Sequence, residues 1–140
     1  MEFKTPLQRG TLIKRYKRFL ADVVLDSGEK VTAACPNTGT MLGLTTPGLK
    51  VWLSRSESKT RKYPHTLEII ERDDVGYIGI NTGHPNRLVE DALRSGKIPT
   101  LQSYETIRRE VKYGTNSRID LLLEGYGKPP CYVEVKNVTL

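Results

Sequence analysis

The segment from Ser117 to Leu140 constrains the fold more than any other stretch of the chain. Two runs rich in aliphatic residues, Ser117 to Glu124 and Cys131 to Leu140, flank Gly125-Tyr126-Gly127-Lys128-Pro129-Pro130. Strand formers on either side of a Gly/Pro turn predict a β-hairpin with a long loop. Side chains in a strand alternate between faces. Ile119, Leu121 and Leu123 therefore share one face of the first strand, and Val133 and Val135 share one face of the second. Asp120, Glu134 and Lys136 fall on the opposite faces. Burial of the aliphatic side opposes the one-residue slip that would scatter them.

Two carboxylates with open coordination positions suit a hard cation such as Mg2+ (or Mn2+), which prefers oxygen ligands and keeps waters. Such an ion lowers the pKa of a bound water and offsets phosphate charge. A nearby lysine orients the attacking water or stabilises the charge that develops on the phosphate. An acid, a gap, then Glu-x-Lys on the next strand is the PD-(D/E)xK nuclease pattern. It makes Asp120, Glu134 and Lys136 the candidate catalytic residues and Asp120 and Glu134 the candidate metal ligands. The competing reading is a solvent-facing charged row whose members pair across strands.

The 140 residues suffice for one ordinary domain or two small ones. No apolar run approaches the ~20 residues that a membrane span needs, so no membrane partner is expected. Residues Met1 to Gly10 lack the apolar core of a signal peptide. The net charge of +6 favours polyanionic partners. Cys35 and Cys131 lie far apart with no C-x-x-C spacing, which fits free thiols in a cytoplasmic protein. A zinc site from Cys35, His65, His84 and Cys131 has no local ligand pair to support it.

Earlier in the chain, Thr11 to Asp26 reads as one long strand, or a strand with a bend, before the turn Asp26-Ser27-Gly28-Glu29. Within it, Lys14-Arg15-Tyr16-Lys17-Arg18 sets four cations around an aromatic. One reading is a solvated edge that discourages aggregation. The other is a nucleic-acid surface, with cations on phosphates and Tyr16 stacking on a base. Strands are predicted at Lys30 to Cys35, Leu49 to Ser54, Thr66 to Arg72 and Tyr77 to Ile80. Between the second and third of these lies a basic loop with Lys59, Arg61 and Lys62. Short strands, turns and a basic connecting loop suit a small Greek-key barrel such as an OB-fold, although a β-sandwich fragment has similar spacing. Near Asn81 the character changes. Asn86 is positioned to cap a helix that runs to about Arg94, and Ser95-Gly96 ends it. Glu90, inside that helix, is an ordinary surface charge or faces the metal site. Thr106 to Gly114 then alternates as a strand, with Ile107 and Val111 on one face. The expected organisation is an OB-like β-barrel over residues 1–80 and the first half of a nuclease-like domain over 81–140.

Several motifs together resemble the sugar fermentation stimulation protein A family: Leu12 through Phe19, Cys35-Pro36-Asn37-Thr38-Gly39, Asn116 through Asp120, and Tyr132 through Leu140. The similarity extends over nearly the whole chain. It implies a mixed α+β protein with an N-terminal OB-like β-barrel followed by a partial PD-(D/E)xK nuclease-like α/β domain, and it implies DNA binding. Carried onto this sequence, it makes Asp120 and Glu134 metal ligands and Lys136 the catalytic lysine. Family members continue past the Glu-x-Lys strand, so this chain is expected to correspond to the first part of such a protein.

Two functions follow. The first is a Mg-dependent nuclease that hydrolyses phosphodiester bonds in duplex or single-stranded DNA, or in RNA. The second is a non-catalytic DNA-binding regulatory protein linked to sugar metabolism. A barrel that binds RNA or oligosaccharide is a third option. In each nucleic-acid reading Lys14, Arg15, Tyr16, Lys17, Arg18, Lys59, Arg61 and Lys62 form the expected contact surface.

Overall fold

The computed structural model describes residues 1–139; Leu140, expected at the end of the last strand, lies outside them. The chain divides into two compact units, Glu2–Thr82 and Gly83–Asn137, with Met1 joining the second.

The first unit has six strands: β1 (Gln8–Tyr16), β2 (Leu20–Leu25), β3 (Lys30–Ala34), β4 (Lys50–Arg55), β5 (His65–Arg72) and β6 (Gly76–Gly79). Their order is β3-β2-β1-β4-β5-β6, and a parallel contact between Ala34 of β3 and Thr66 of β5 closes the first five into a barrel. The ring β1-β2-β3-β5-β4 is that of an OB-like barrel. Leu12, Val23, Val51, Leu53, Leu67 and Ile70 fill its interior with no more than 2% exposure. Leu67 and Ile70 are three apart, which strict alternation forbids. A register shift opposite Trp52 and Leu53 inserts an extra residue into β5 and turns both inward. Gly10 is needed on β1, because a Cβ there would lie 2.6 Å from Val23 Cγ1 and 2.8 Å from the Val24 carbonyl oxygen.

The run Thr11–Asp26 is not one strand. It is the β1–β2 hairpin, with Tyr16 paired to Leu20 across a three-residue reversal. Lys17 and Arg18 both adopt positive φ, 51° and 64°. That conformation favours glycine or asparagine, so the sequence carried no turn signal here.

The second unit contains α1 (Pro85–Arg94), a short 3-10 turn at Pro99–Leu101, and the sheet β7 (Thr106–Tyr113), β8 (Ser117–Glu124) and β9 (Cys131–Val133), in the order β7-β8-β9. Its core joins Leu93 and Val89 of the helix to Leu121, Leu123, Ile107 and Val133 of the sheet. Asn86 is not the cap. His84 occupies that position, Pro85 begins the helix, and no side chain caps it. The helix ends as its sequence indicates: Gly96 has φ 71°, its N–H bonds to the Leu93 carbonyl, and the Lys97 N–H bonds to the Ala92 carbonyl. No helix among the described residues is long and apolar enough to cross a membrane.

Candidate metal and nucleic-acid site

The β8–β9 ladder fixes the acids. Leu121 pairs with Val133, Leu122 with Tyr132 and Leu123 with Cys131. Continuing that register one step sets Asp120 opposite Glu134. The ladder itself stops at Val133, short of the strand expected through Leu140. The reason is local: the Val135 N–H donates to Asp120 Oδ2 at 2.7 Å, so a carboxylate takes the place of a strand carbonyl. Asp120 Oδ1 accepts from Asn86 Nδ2 of α1 at 3.0 Å. The half-buried Asp120 carboxylate is thus held from both sides, with a second lone pair on each oxygen.

Glu134 and Lys136 are exposed, and Lys136 Nζ donates to Glu134 Oε1 at 2.6 Å. The hydrogen bond that Lys136 donates to Glu134, then the charge of Glu134, holds the Lys136 ammonium above its usual pKa; slight burial opposes this and Asp120 adds to it. Asp120 therefore acts electrostatically on the same lysine as Glu134.

Glu90 is committed elsewhere. It is buried, and its two carboxylate oxygens accept from Arg94 Nε at 3.0 Å and from Arg109 Nε. Burial pushes its carboxyl up, but the hydrogen bonds and charges of the two arginines outweigh this and hold it below the usual range. Glu110 stands where β7 would pair with Asp120, yet it has φ 52° and that Cα pairing is missing. Among the described residues, no three of His, Cys, Asp and Glu are grouped to hold a metal. A closed protein cage is therefore not built by these residues. Two carboxylates with spare lone pairs still fit a hard, hydrated divalent ion, which typically takes one or two carboxylates plus waters and substrate phosphate.

In the barrel, the basic residues separate into two kinds. Arg15 is structural: Nη2 donates to the carbonyls of Arg18, Asn37 and Gly39 at 2.9, 2.8 and 2.7 Å, and Nη1 donates to Thr40 at 3.4 Å. Tyr16 is also engaged, donating its hydroxyl to Asp22 Oδ1 at 3.0 Å. Burial, then this bond, raises the Tyr16 pKa. Lys14, Lys17 and Arg18 are exposed, with the Lys14 ammonium 5.0 Å from the Tyr16 ring centre. The β4–β5 loop frames a cavity of about 710 Å³ lined by Arg55, Lys59, Arg61 and Gln8. Arg61 donates to Thr66 Oγ1 at 3.0 Å, and Lys62 lies over the Tyr63 ring. The β1–β2 and β4–β5 loops, where OB-folds bind oligonucleotides and oligosaccharides, are therefore the two loops that carry the cations.

The sequence did not flag Asn86 as a partner of Asp120, Arg109 as a partner of Glu90, or Arg15 as the organiser of the loop after β3. All three are contacts between residues distant in the chain, and no local pattern announces them.

Fold and site together define an OB-like barrel followed by a small sheet-and-helix unit that presents two acids and a lysine. The model of the SfsA N-terminal OB domain matches residues 13–80, and that of the sugar fermentation stimulation protein RE domain matches residues 83–140. The chain belongs to the sugar fermentation stimulation protein A family. The sugar fermentation stimulation protein homolog of Agrobacterium fabrum is 59% identical over 138 residues, which are 99% of this chain and 57% of that protein. The Brucella ovis homolog is also 59% identical, with 58% of its length matched. The structure of Pyrococcus furiosus SfsA in complex with Ca2+ superposes with a TM-score of 0.78 at 25% identity, covering 96% of this chain and 55% of that one. This chain thus spans little more than half the length of these relatives.

Proposed function

We propose that this chain carries the nucleic-acid-binding barrel and the acid-lysine site of a divalent-metal-dependent nuclease. The observation that carries the reading is the convergence of Asp120, Glu134 and Lys136 at the open end of the β8–β9 ladder, with Asp120 oriented by Asn86 and by the Val135 N–H. That the Pyrococcus furiosus relative was solved in complex with Ca2+ supports a divalent ion for this fold. Asp120 and Glu134 would hold the ion, Mg2+ or Mn2+. When bound, it would lower the pKa of a coordinated water and offset charge on the scissile phosphate.

The chain's own residues do the rest. Asn86 and the Val135 N–H hold the Asp120 carboxylate in one orientation. Lys136 stays protonated beside Glu134 and donates toward the phosphate or the attacking water. Lys14, Lys17, Arg18, Lys59 and Lys62 attract the phosphate backbone of DNA. Cys35 and Cys131 are free thiols, consistent with a cytoplasmic setting.

A second reading, a DNA-binding regulatory protein without catalysis, is favoured by the engagement of Glu134 with Lys136 and by the lack of a third acid at the site among the described residues. A plasmid-nicking assay separates the two. This chain and the longer Agrobacterium fabrum homolog are incubated with Mg2+, Mn2+ or EDTA. Metal-dependent nicking that EDTA abolishes is expected. DNA binding with no cleavage of duplex, single-stranded or RNA substrate by either protein leaves the regulatory reading.

A further inference from the structure

The β7–β8 hairpin contains a pairing that its own stability does not favour. At its open end charges complement each other: Arg108 Nη2 lies 2.7 Å from Glu124 Oε1. At its closed end Lys112 stands directly opposite Arg118. Both are exposed, and neither has an ion-pair partner among the described residues. Like charges facing each other across an antiparallel pair are destabilising. On the same sheet the Tyr113 ring, from the residue after Lys112, meets the Tyr132 ring of β9 at 5.8 Å between centres, tilted by 49°. These tyrosines remain 49% and 55% exposed, so their ring faces are open to solvent.

We propose that this hairpin end is a second nucleic-acid contact, specific for an unpaired stretch of chain. The inference rests on the nuclease-like reading above and adds to it the substrate form that the site receives. Lys112 and Arg118 bind phosphates, which relieves their mutual repulsion. The tyrosine pair supplies ring faces on which unpaired bases stack, the usual combination in proteins that hold single strands. A paired base hides its faces inside the duplex, so the rings favour single-stranded over double-stranded substrate. Arg118 is two residues from Asp120 on β8, roughly 7 Å along a strand. A strand held here by its phosphates therefore runs next to the candidate acids. The cations of the barrel loops need no unpaired base and serve either form.

The test uses the full chain and a labelled oligothymidylate, with an equivalent duplex and heparin beside it. Affinity is measured by fluorescence anisotropy across a salt series. In the Lys112→Thr/Arg118→Thr double variant the salt slope on the single strand should fall by ~1.4, about 0.7 for each phosphate that is no longer neutralised. Its unfolding midpoint should stay level or rise, because a repulsive pair is gone, so weaker binding cannot be ascribed to unfolding. Tyr132→Leu keeps apolar bulk without the ring face. It should weaken single-strand binding about fivefold or more and leave heparin and duplex binding unchanged. An unchanged slope in the double variant overturns the proposal, as does a Tyr132→Leu loss that is equal for heparin and oligonucleotide. If the unsubstituted chain binds no nucleic acid, the broader reading fails with it. If the chain binds normally and only these variants are silent, this inference alone fails.

Discussion

Asn86 Nδ2 donates to Asp120 Oδ1 across 3.0 Å, joining the first turn of α1 to the middle of β8. A helix residue that a sequence reading assigns to capping instead orients the candidate metal ligand. Partners of this kind commonly account for 10- to 100-fold in metal affinity when removed. Asn86→Ala should therefore weaken Ca2+ or Mg2+ binding by roughly that factor, and Asp120→Asn should abolish it. Lys136→Ala should leave affinity nearly intact and affect only turnover. Calorimetric titration of the three variants tests the order. Equal metal affinity in Asp120→Asn and the parent would place any ion elsewhere.

Arg15 and its neighbours should separate in their effects. Arg15→Ala strands the carbonyls of Arg18, Asn37 and Gly39, which now receive a charged donor. A loss of about 1.5–3 kcal/mol in urea denaturation is expected for hydrogen bonds of this type. Lys17→Ala/Arg18→Ala should leave stability within a few tenths of that of the parent. It should instead lower the salt slope of duplex binding by ~1.8. If Arg15→Ala alters the slope as much as the Lys17/Arg18 pair, its guanidinium contacts phosphate after all.

Two titrating groups, one in each unit, predict two successive limbs on the acid side of a stability profile. His65 is 5% exposed, and burial first, then the Arg55 charge, holds its pKa below 6.5. The unfolded chain then takes up a proton before the folded one. The barrel is most stable above 6.5 and loses stability as pH falls through that value toward the lowered folded pKa. Glu90 has its folded pKa depressed below 4.5, so its contribution is complete above that pH and is lost as pH falls through the folded value. Thermal unfolding followed from pH 8 to 3, roughly the span of these groups, should show the barrel weakening first. His65→Gln should flatten the upper limb. A profile identical to the parent's would assign that limb to another group.

Gly10→Ala should be costly although glycine in a strand interior is itself weakening. Its Cβ meets the Val23 side chain and the Val24 backbone carbonyl, and only the first of these can move. About 1–3 kcal/mol of destabilisation follows for such overpacking. A variant with the parent's urea midpoint would mean that β1 shifts freely against β2.

Much of the fold lies in local pattern. Alternation on β8, and the Ser95-Gly96 stop after α1, depend on neighbours two to four residues apart. They are therefore legible without coordinates, as are the acids and lysine of the Ser117–Leu140 segment. The β1–β2 reversal was not legible, because Lys17 and Arg18 enter positive φ without glycine or asparagine, under the hold of Arg15 on the Arg18 carbonyl. The inward turn of both Leu67 and Ile70 was hidden for a related reason: it needs a bulge opposite Trp52, which only the facing strand imposes.

The sequence by itself determined which residues alternate, which are charged and which end a helix, since covalent order sets those properties. Tertiary structure alone decided what each charge does. Arg15 became a loop staple, Glu90 the partner of two arginines, and Asp120 a carboxylate gripped by a helix and by the Val135 N–H. The physical reason is that a polar group's role depends on whichever partner folding brings within about 3 Å, and chain order does not encode that distance.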